Sequence, residues 1–258
     1  MTDSEPRPQP REASGAALRP LCVFCGSAAT HSQSYTTRRT RTTTRYHRCA
    51  VCGGVFLDAA CRVSPAAEKA RYDEHNNSLA DPRNRAYFEE FLGALLAALD
   101  AQCIGEQTRA RWRVLDFGSG PSPSLVQLMR EQRAFASAVG WDLYYSAGAP
   151  QLAEDPLVLR ELGDQQFDLV TAQEVVEHFV DPLRGWQKLA GAVRSGGYAA
   201  VATYLLPDDG SDGFGSFVAL PRARPCTAPE GDSDDGGDIA VVRPREAEEA
   251  AAVAAAIK

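Results

Sequence analysis

The chain has 258 residues, 44% of them hydrophobic, and a formal net charge of -7. That is enough apolar material for a full core, with room for one large and one small domain. The acidic balance argues against a general nucleic-acid binder while leaving room for a local basic patch, and no apolar run approaches the roughly 20 residues that span a bilayer.

Residues 1–20 are polar and proline-rich, without the apolar core of a signal peptide, and read as a disordered lead to a cytoplasmic chain. Residues 21–62 carry two Cys-x-x-Cys knuckles, Cys22/Cys25 and Cys49/Cys52, with 23 residues (26–48) between them. Each knuckle is followed by a glycine, Gly26 or Gly53. In a cytoplasmic chain this pattern reads as the structural four-thiolate Zn2+ site of a zinc ribbon, not as a disulfide framework. A segment so small takes its stability from the metal. Tyr35 to Tyr46, rich in Thr and Arg, fits the hairpin of that ribbon. Its arginines, Arg38, Arg39, Arg41, Arg45 and Arg48, have two readings. They make phosphate contacts with RNA or bind an anionic substrate, the first of which makes nucleic acid a partner, or they are a charged edge that resists aggregation, and the last is preferred. His47 offers a replacement ligand to a shell that four thiolates already complete. Cys61, Cys103 and Cys226 have no partners at metal spacing and read as buried or incidental thiols.

Ser64-Pro65 starts a polar helix that reaches Tyr72 and His75, and Asn76-Asn77 breaks it. Asp81-Pro82 opens a longer helix whose Phe88, Phe91, Leu92, Leu95, Leu96 and Leu99 recur at helical spacing and should pack on a sheet. Val114-Leu115-Asp116-Phe117 reads as a buried strand and Gly118-Ser119-Gly120 as a tight turn. Ser124 then caps a helix with Leu125, Leu128 and Met129 on one face. Glycine lets the backbone approach a ligand there, and the helix start leaves N–H groups free to bind it. The dinucleotide fingerprint Gly-x-Gly-x-x-Gly fails, because Pro123 occupies its third glycine position.

Ala138 to Trp141 reads as the second strand, ending at Asp142, where a carboxylate can accept both hydroxyl hydrogens of a ribose. Gln166 to Ala172 reads as the third, leading into a helix that begins near Gln173. On that helix Glu174, Glu177 and His178 fall at i, i+3 and i+4, on one face. Asp181-Pro182 opens a helix through Leu183, Trp186, Leu189 and Val193, Ser195-Gly196-Gly197 ends it, and Tyr198 to Leu205 is a further strand. The succession predicts an α/β fold, a Rossmann-like, doubly wound and mostly parallel sheet.

The Asp116-x-Gly118-x-Gly120 turn resembles motif I of class I S-adenosylmethionine-dependent methyltransferases, with Ser122 where that superfamily usually has another glycine. Phe167-Asp168-Leu169-Val170 followed by Glu174-Val175-Val176-Glu177-His178 resembles motif IV of small-molecule O-methyltransferases. The run Ala70 to Asn77, then Asp81-Pro82, resembles a set of bacterial methyltransferases of unassigned substrate that also carry an N-terminal zinc ribbon. This resemblance covers residues 20–206. It implies an enzyme with S-adenosyl-L-methionine as cofactor, held by Asp116, Gly118, Ser119, Gly120, Asp142 and Gln173, with Tyr72, His75 and Asn76 as lid residues. It further implies methyl transfer to an O or N acceptor, a small molecule in the favoured reading, with His178 as base or orienter and Glu174 beside the cofactor. Two alternatives stand beside it: an RNA or protein methyltransferase that recognises its target through the ribbon, and a non-catalytic adaptor. Glu-x-x-Glu-His also resembles the metal-binding run of small-RNA 3′-end 2′-O-methyltransferases, but the chain has four histidines and none follows His178.

After Leu206 the composition changes to Gly, Asp, Arg and Pro, with the acidic run Glu230 to Asp238, and only Ile239 to Val242 reads as a strand. Residues 246–258 form an alanine-rich helix pattern. A class I methyltransferase needs a further helix and two strands here. The expectation is therefore a methyltransferase domain at 63–206 whose C-terminal strands are missing, followed by a low-complexity acidic tail at 207–258, a divergent or frame-shifted ending.

Overall fold

The computed structural model describes residues 20–36, 42–74, 77–146, 157–163, 167–205, 215–219 and 240–242. The 1–19 lead, Arg38, Arg39, Arg41, His75, Asn76, Cys226 and most of the proposed tail lie outside the described residues.

Near the N-terminus, β1 (Thr30–Thr36), β2 (Thr43–Cys49) and β3 (Val55–Leu57) form an antiparallel three-stranded sheet in the order β1-β2-β3. Thr30 pairs with Cys49 and Thr36 with Thr43, so the register delivers Cys49 to the end of the sheet where the first knuckle lies. Alternation along β2 turns His47 and Cys49 inward. His47 is no spare ligand: Nδ1 meets the Ser32 hydroxyl at 3.0 Å and Nε2 meets Asp58 Oδ2 at 2.7 Å. The buried core of this unit is small, Cys22, Cys49 and Phe56, with Phe24 packed partly against it.

Two helices follow, each with the predicted start. The Ser64 side chain accepts the Ala67 N–H ahead of α1 (Pro65–Asp73), and Asp81 accepts the Arg83 N–H ahead of α2 (Pro82–Ala101). Such caps contribute about 1 kcal/mol each. A short helix, α3 (Glu106–Arg109), leads into the main sheet. Cys103 is held in a disulfide, not left as a lone thiol.

The main sheet contains β4 (Arg113–Phe117), β5 (Ser137–Trp141), β6 (Phe167–Gln173) and β7 (Val193–Leu205), with α4 (Ser124–Glu131) after β4 and α5 (Pro182–Ala192) after β6. The order is β5-β4-β6-β7, all parallel. Outside β5, a parallel bridge joins Gly140 to Val158. Both faces are covered, which is why the strands read as near-continuous apolar runs. Val114, Leu169 and Ala200 face α2 and α4 with Leu92, Leu95, Leu99 and Leu125. Leu115, Val170 and Val201 face the other way, with Trp186 and Leu189 of α5. Each fully buried Leu or Val contributes about 1.5–3 kcal/mol.

Three expectations are corrected. Ser124 does not cap α4: Pro123 stands at the cap, and the Ser124 hydroxyl donates to the Asn77 carbonyl, because the turn before α2 offers it a tertiary partner. The chain turns from α5 into β7 at Val193, ahead of the Ser195-Gly196-Gly197 stop, so those glycines lie inside the strand, with Gly196 at φ 74. Finally, the sheet does not end at residue 206. β8 (Gly215–Ala219) and β9 (Ala240–Val242) both pair antiparallel with β7, β8 against Val201 to Leu205 and β9 against Ala199 and Ala200. Backbone pairing on an open strand edge needs little from side chains, so a poor apolar pattern did not forbid it. No helix among the described residues is long and apolar enough to cross a membrane.

Candidate functional site

At the carboxyl ends of β4, β5 and β6 the parallel register sets the geometry. Asp116 pairs with Gly140 and Phe117 with Trp141, so the residue after β5, Asp142, lies beside the turn after β4. Asp142 is buried and faces the glycines: its Oδ2 accepts the Gly120 N–H at 3.0 Å, and its Oδ1 accepts the Tyr144 N–H at 2.8 Å. Leu143 between them is 68% exposed, an apolar surface next to a buried carboxylate.

The two turn glycines have left-handed backbones, φ 82 at Gly118 and 67 at Gly120, but different surroundings. A Cβ on Gly118 would come within 2.4 Å of Val175 Cγ2, so this glycine lets the turns after β4 and β6 close on each other. A Cβ on Gly120 would meet nothing within 4 Å, so this glycine borders open space. The amides of the turn itself, as distinct from those of the helix start, are engaged within the chain. Gly118 and Ser119 N–H groups donate to the Trp141 carbonyl, at 2.7 and 3.2 Å, and Gly120 donates to Asp142. Pro121 and Pro123 have no N–H to offer. The Ser119 hydroxyl is buried and has no hydrogen-bond partner among the described residues.

Asp116 sits beneath the turn. Its Oδ1 accepts the Thr171 hydroxyl from β6 at 2.9 Å, and burial raises its pKa to about 7, with the Asp142 charge adding to the rise and the Thr171 bond opposing it. Gln173 is half-buried at the end of β6.

No helix begins at Gln173. Gln173 closes β6, Glu174 adopts a left-handed backbone at φ 53, and a single 3-10 turn spans Val176–His178 before α5 starts at Pro182. The charge spacing fitted a helix, but two consecutive β-branched residues, Val175 and Val176, and the Glu174 N–H bond to the Ala202 carbonyl at 2.8 Å hold the segment as a tight turn. A non-glycine residue in that conformation costs on the order of 1 kcal/mol and is typical of functional turns. Glu174 and Glu177 still come together as neighbouring carboxyl groups. Burial first, and the neighbouring Glu177 second, raise the Glu174 pKa to about 7.

His178 points elsewhere, toward α1. Its Nδ1 is 3.7 Å from Glu68 Oε1, and its ring meets Tyr72 edge-on with centroids 5.7 Å apart. Tyr72 also lies 6.1 Å from the Tyr144 ring. Burial, then the charge of Glu68, raises the Tyr72 hydroxyl pKa. The Tyr145 hydroxyl donates to Asp73 at 2.8 Å, so α1 is fastened to the segment after β5 at two points. Asp116, Gly118, Gly120, Asp142, Glu174, His178 and Tyr72 therefore surround one end of the sheet. Glu68, Tyr144 and Leu143 were missed. An amphipathic count on α1 could have found Glu68, which lies one turn before Tyr72. A separate cavity lined by Thr108, Arg111, Asp168 and Arg194 opens at the opposite ends of the strands and is not part of this arrangement.

The four knuckle thiols form a second centre. All four sulfurs lie within 4.8 Å of one another, and among the described residues this is the one group of three or more such side chains that could hold a metal ion. Glu174, Glu177 and His178 do not form another. The knuckles are matched: Gly26 donates to the Cys22 carbonyl at 2.9 Å and Gly53 to the Cys49 carbonyl at 3.0 Å, both glycines with left-handed φ. Backbone N–H groups, that of Cys52 foremost, lower the Cys49 thiol pKa to about 6, whereas burial pushes Cys52 up to about 12.

The sequence matches the profile of a family described as "Methyltransferase domain" over residues 60–235, a span that runs past Leu206. Among solved structures, an O-methyltransferase family protein from Burkholderia thailandensis is 20% identical, over 55% of this chain and 46% of its own, with a TM-score of 0.33. The sugar N-methyltransferase KedS8 from Streptoalloteichus sp. ATCC 53650 is 18% identical, over 60% of this chain and 59% of its own, with a TM-score of 0.33. The chain thus spans about half the length of such relatives, and likeness at this level carries no information on substrate. No curated protein matches the sequence. With the profile covering more than half of the chain, the protein belongs to the methyltransferase-domain family.

Proposed function

We propose that the protein is an S-adenosyl-L-methionine-dependent methyltransferase acting on an oxygen or nitrogen of a small molecule, with a structural Zn2+ in an N-terminal zinc ribbon. The observation that carries this reading is the juxtaposition of Asp142 with Gly120 beside open space, in a chain of the methyltransferase-domain family. The residues fit a nucleoside. Asp142 is an acceptor-rich carboxylate at ribose height, Leu143 offers the apolar contact a base needs, and Gly120 leaves the approach open.

When bound, the cofactor supplies a methyl group on a sulfonium, whose bonding pair stays with sulfur as the acceptor forms its new bond. The chain's task is alignment and proton handling. Asp142 orients the sugar, and Asp116 supports the turn from below through Thr171. Glu174, with Glu177 beside it, borders the acceptor side. His178 Nε2 has no partner among the described residues and is the atom that takes the acceptor's proton. Tyr72 of α1 covers the site from above. Four thiolates and no disulfide among the knuckles match Zn2+, which favours tetrahedral sulfur.

Incubation with methyl-tritiated S-adenosylmethionine and pooled small hydroxyl and amine compounds tests this directly. Label should move to a small product in the parent and fall at least tenfold in His178→Ala. Label moving only to added RNA or protein would overturn the small-molecule assignment.

A further inference from the structure

We infer that Glu68 is a positioning residue for His178, fixing the imidazole proton on Nδ1 so that Nε2 is left as the proton acceptor; the inference rests on His178 being the base. Glu68 belongs to α1, far in sequence from the turn after β6, yet its carboxylate is 17% exposed and divided between two partners. One oxygen, Oε2, accepts the Tyr144 hydroxyl, and the other, Oε1, lies 3.7 Å from His178 Nδ1. A carboxylate can only accept, and its charge at 3.7 Å favours hydrogen on the ring nitrogen that faces it. The opposite nitrogen then has its lone pair free.

The surroundings make this placement specific. Tyr72, one helical turn after Glu68, abuts the His178 ring edge-on and limits its rotation. Tyr144 is anchored in turn, because its N–H donates to Asp142 Oδ1. Glu68 is thereby connected to the carboxylate at the cofactor side through one residue and faces the base through its other oxygen. Asp73 and Lys69 add a further tie: Tyr145 donates to Asp73, and the Lys69 ammonium lies 4.7 Å from the Tyr145 ring centroid. α1 therefore stays seated when Glu68 alone is changed.

The test is the nitrogen-15 spectrum of the histidine rings in labelled full-length protein, at a pH where the imidazole is neutral, with His178→Gln assigning the signal. Free imidazole side chains favour the Nε2–H form. The parent should show the Nδ1–H form at His178. Glu68→Ala should return the ring to the Nε2–H form, a shift of at least tenfold in the tautomer ratio, and Glu68→Asp should restore part of it. Tyr144→Phe removes the other Glu68 bond without touching the ring, and should keep the parent tautomer. An Nε2–H form in the parent overturns the inference, as does an unchanged signal in a folded Glu68→Ala protein. A Tyr144→Phe effect as large as that of Glu68→Ala also overturns it, since docking of α1 would then be the cause. Calorimetric titration of the parent with S-adenosylhomocysteine runs alongside: no binding there counts against the methyltransferase reading and leaves the tautomer result to be judged by itself.

Discussion

The three-stranded N-terminal sheet and the parallel sheet behind it are stabilised in opposite ways. The first has an apolar core of Cys22, Cys49 and Phe56 alone among the described residues, whereas the second buries apolar side chains on both faces of four strands. A core of three residues offsets little of the conformational entropy of some 40 residues at about 1–2 kcal/mol each, and a metal on the thiol cluster, which could hold one, is the proposed source of the remainder. The parallel sheet has no such need. Its polar groups are free to be arranged for a ligand, and they concentrate at one end of the strands. Phe24, lying between the two cysteines of the first knuckle, packs against both cores and is where the two regimes touch.

That contrast is broken most severely by removing a thiol. Cys49→Ser should abolish metal binding, read as zinc per chain by mass spectrometry, and unfold residues 21–62, because structural zinc supplies on the order of 10 kcal/mol to small domains. The parallel sheet should keep its hydrogen-exchange protection. Conversely, Leu115→Ala empties a fully buried position and should cost about 2–5 kcal/mol in urea unfolding while zinc stoichiometry stays at the parent value. Loss of zinc in Leu115→Ala, or of sheet protection in Cys49→Ser, would show that the two regions fold as one.

The glycine pair offers a sharper version within the sheet region. Gly118→Ala meets Val175 as well as an unfavourable φ and should lose more stability than Gly120→Ala, which meets only the φ penalty of about 1 kcal/mol. Thermal melts decide it, and equal losses would mean that the Val175 contact relaxes freely. A further effect is electrostatic. Asp116 titrates near 7 in the folded chain against about 3.9 when unfolded. A raised acid pKa means that the folded state holds the proton longer, so stability should fall as pH rises from about 4 to about 7 and level off above that. Glu174, also near 7, adds to the same window. Asp116→Asn should flatten part of this slope, and an unchanged slope would place the proton elsewhere.

What the sequence made legible follows the same division. Caps and prolines at Ser64-Pro65, Asp81-Pro82 and Asp181-Pro182 located three helix starts, because those signals are local. The glycine turn and the strands around it were readable from short apolar runs. The turn at Glu174 was not: charges at i, i+3 and i+4 mimic a helix face, and the left-handed backbone there is held by Ala202 from another strand. Ser124 was misread for a similar reason, its hydroxyl being drawn to Asn77. Of the strands after residue 206, β9 falls on the apolar run Ile239 to Val242, whereas β8 was invisible because its partner, the edge of β7, recognises backbone and not side chains. Glu68 escaped because its two partners, Tyr144 and His178, lie far along the chain.

The reading stands or falls on a nucleoside cofactor occupying the open space that Gly120 and Asp142 border. Calorimetric titration of zinc-loaded parent and Asp142→Ala with S-adenosylhomocysteine tests it most directly. Saturable one-to-one binding to the parent is expected, and at least tenfold weaker binding to the variant, about 1.4 kcal/mol or more. No heat of binding from the folded parent, or equal affinity in the two proteins, would contradict it.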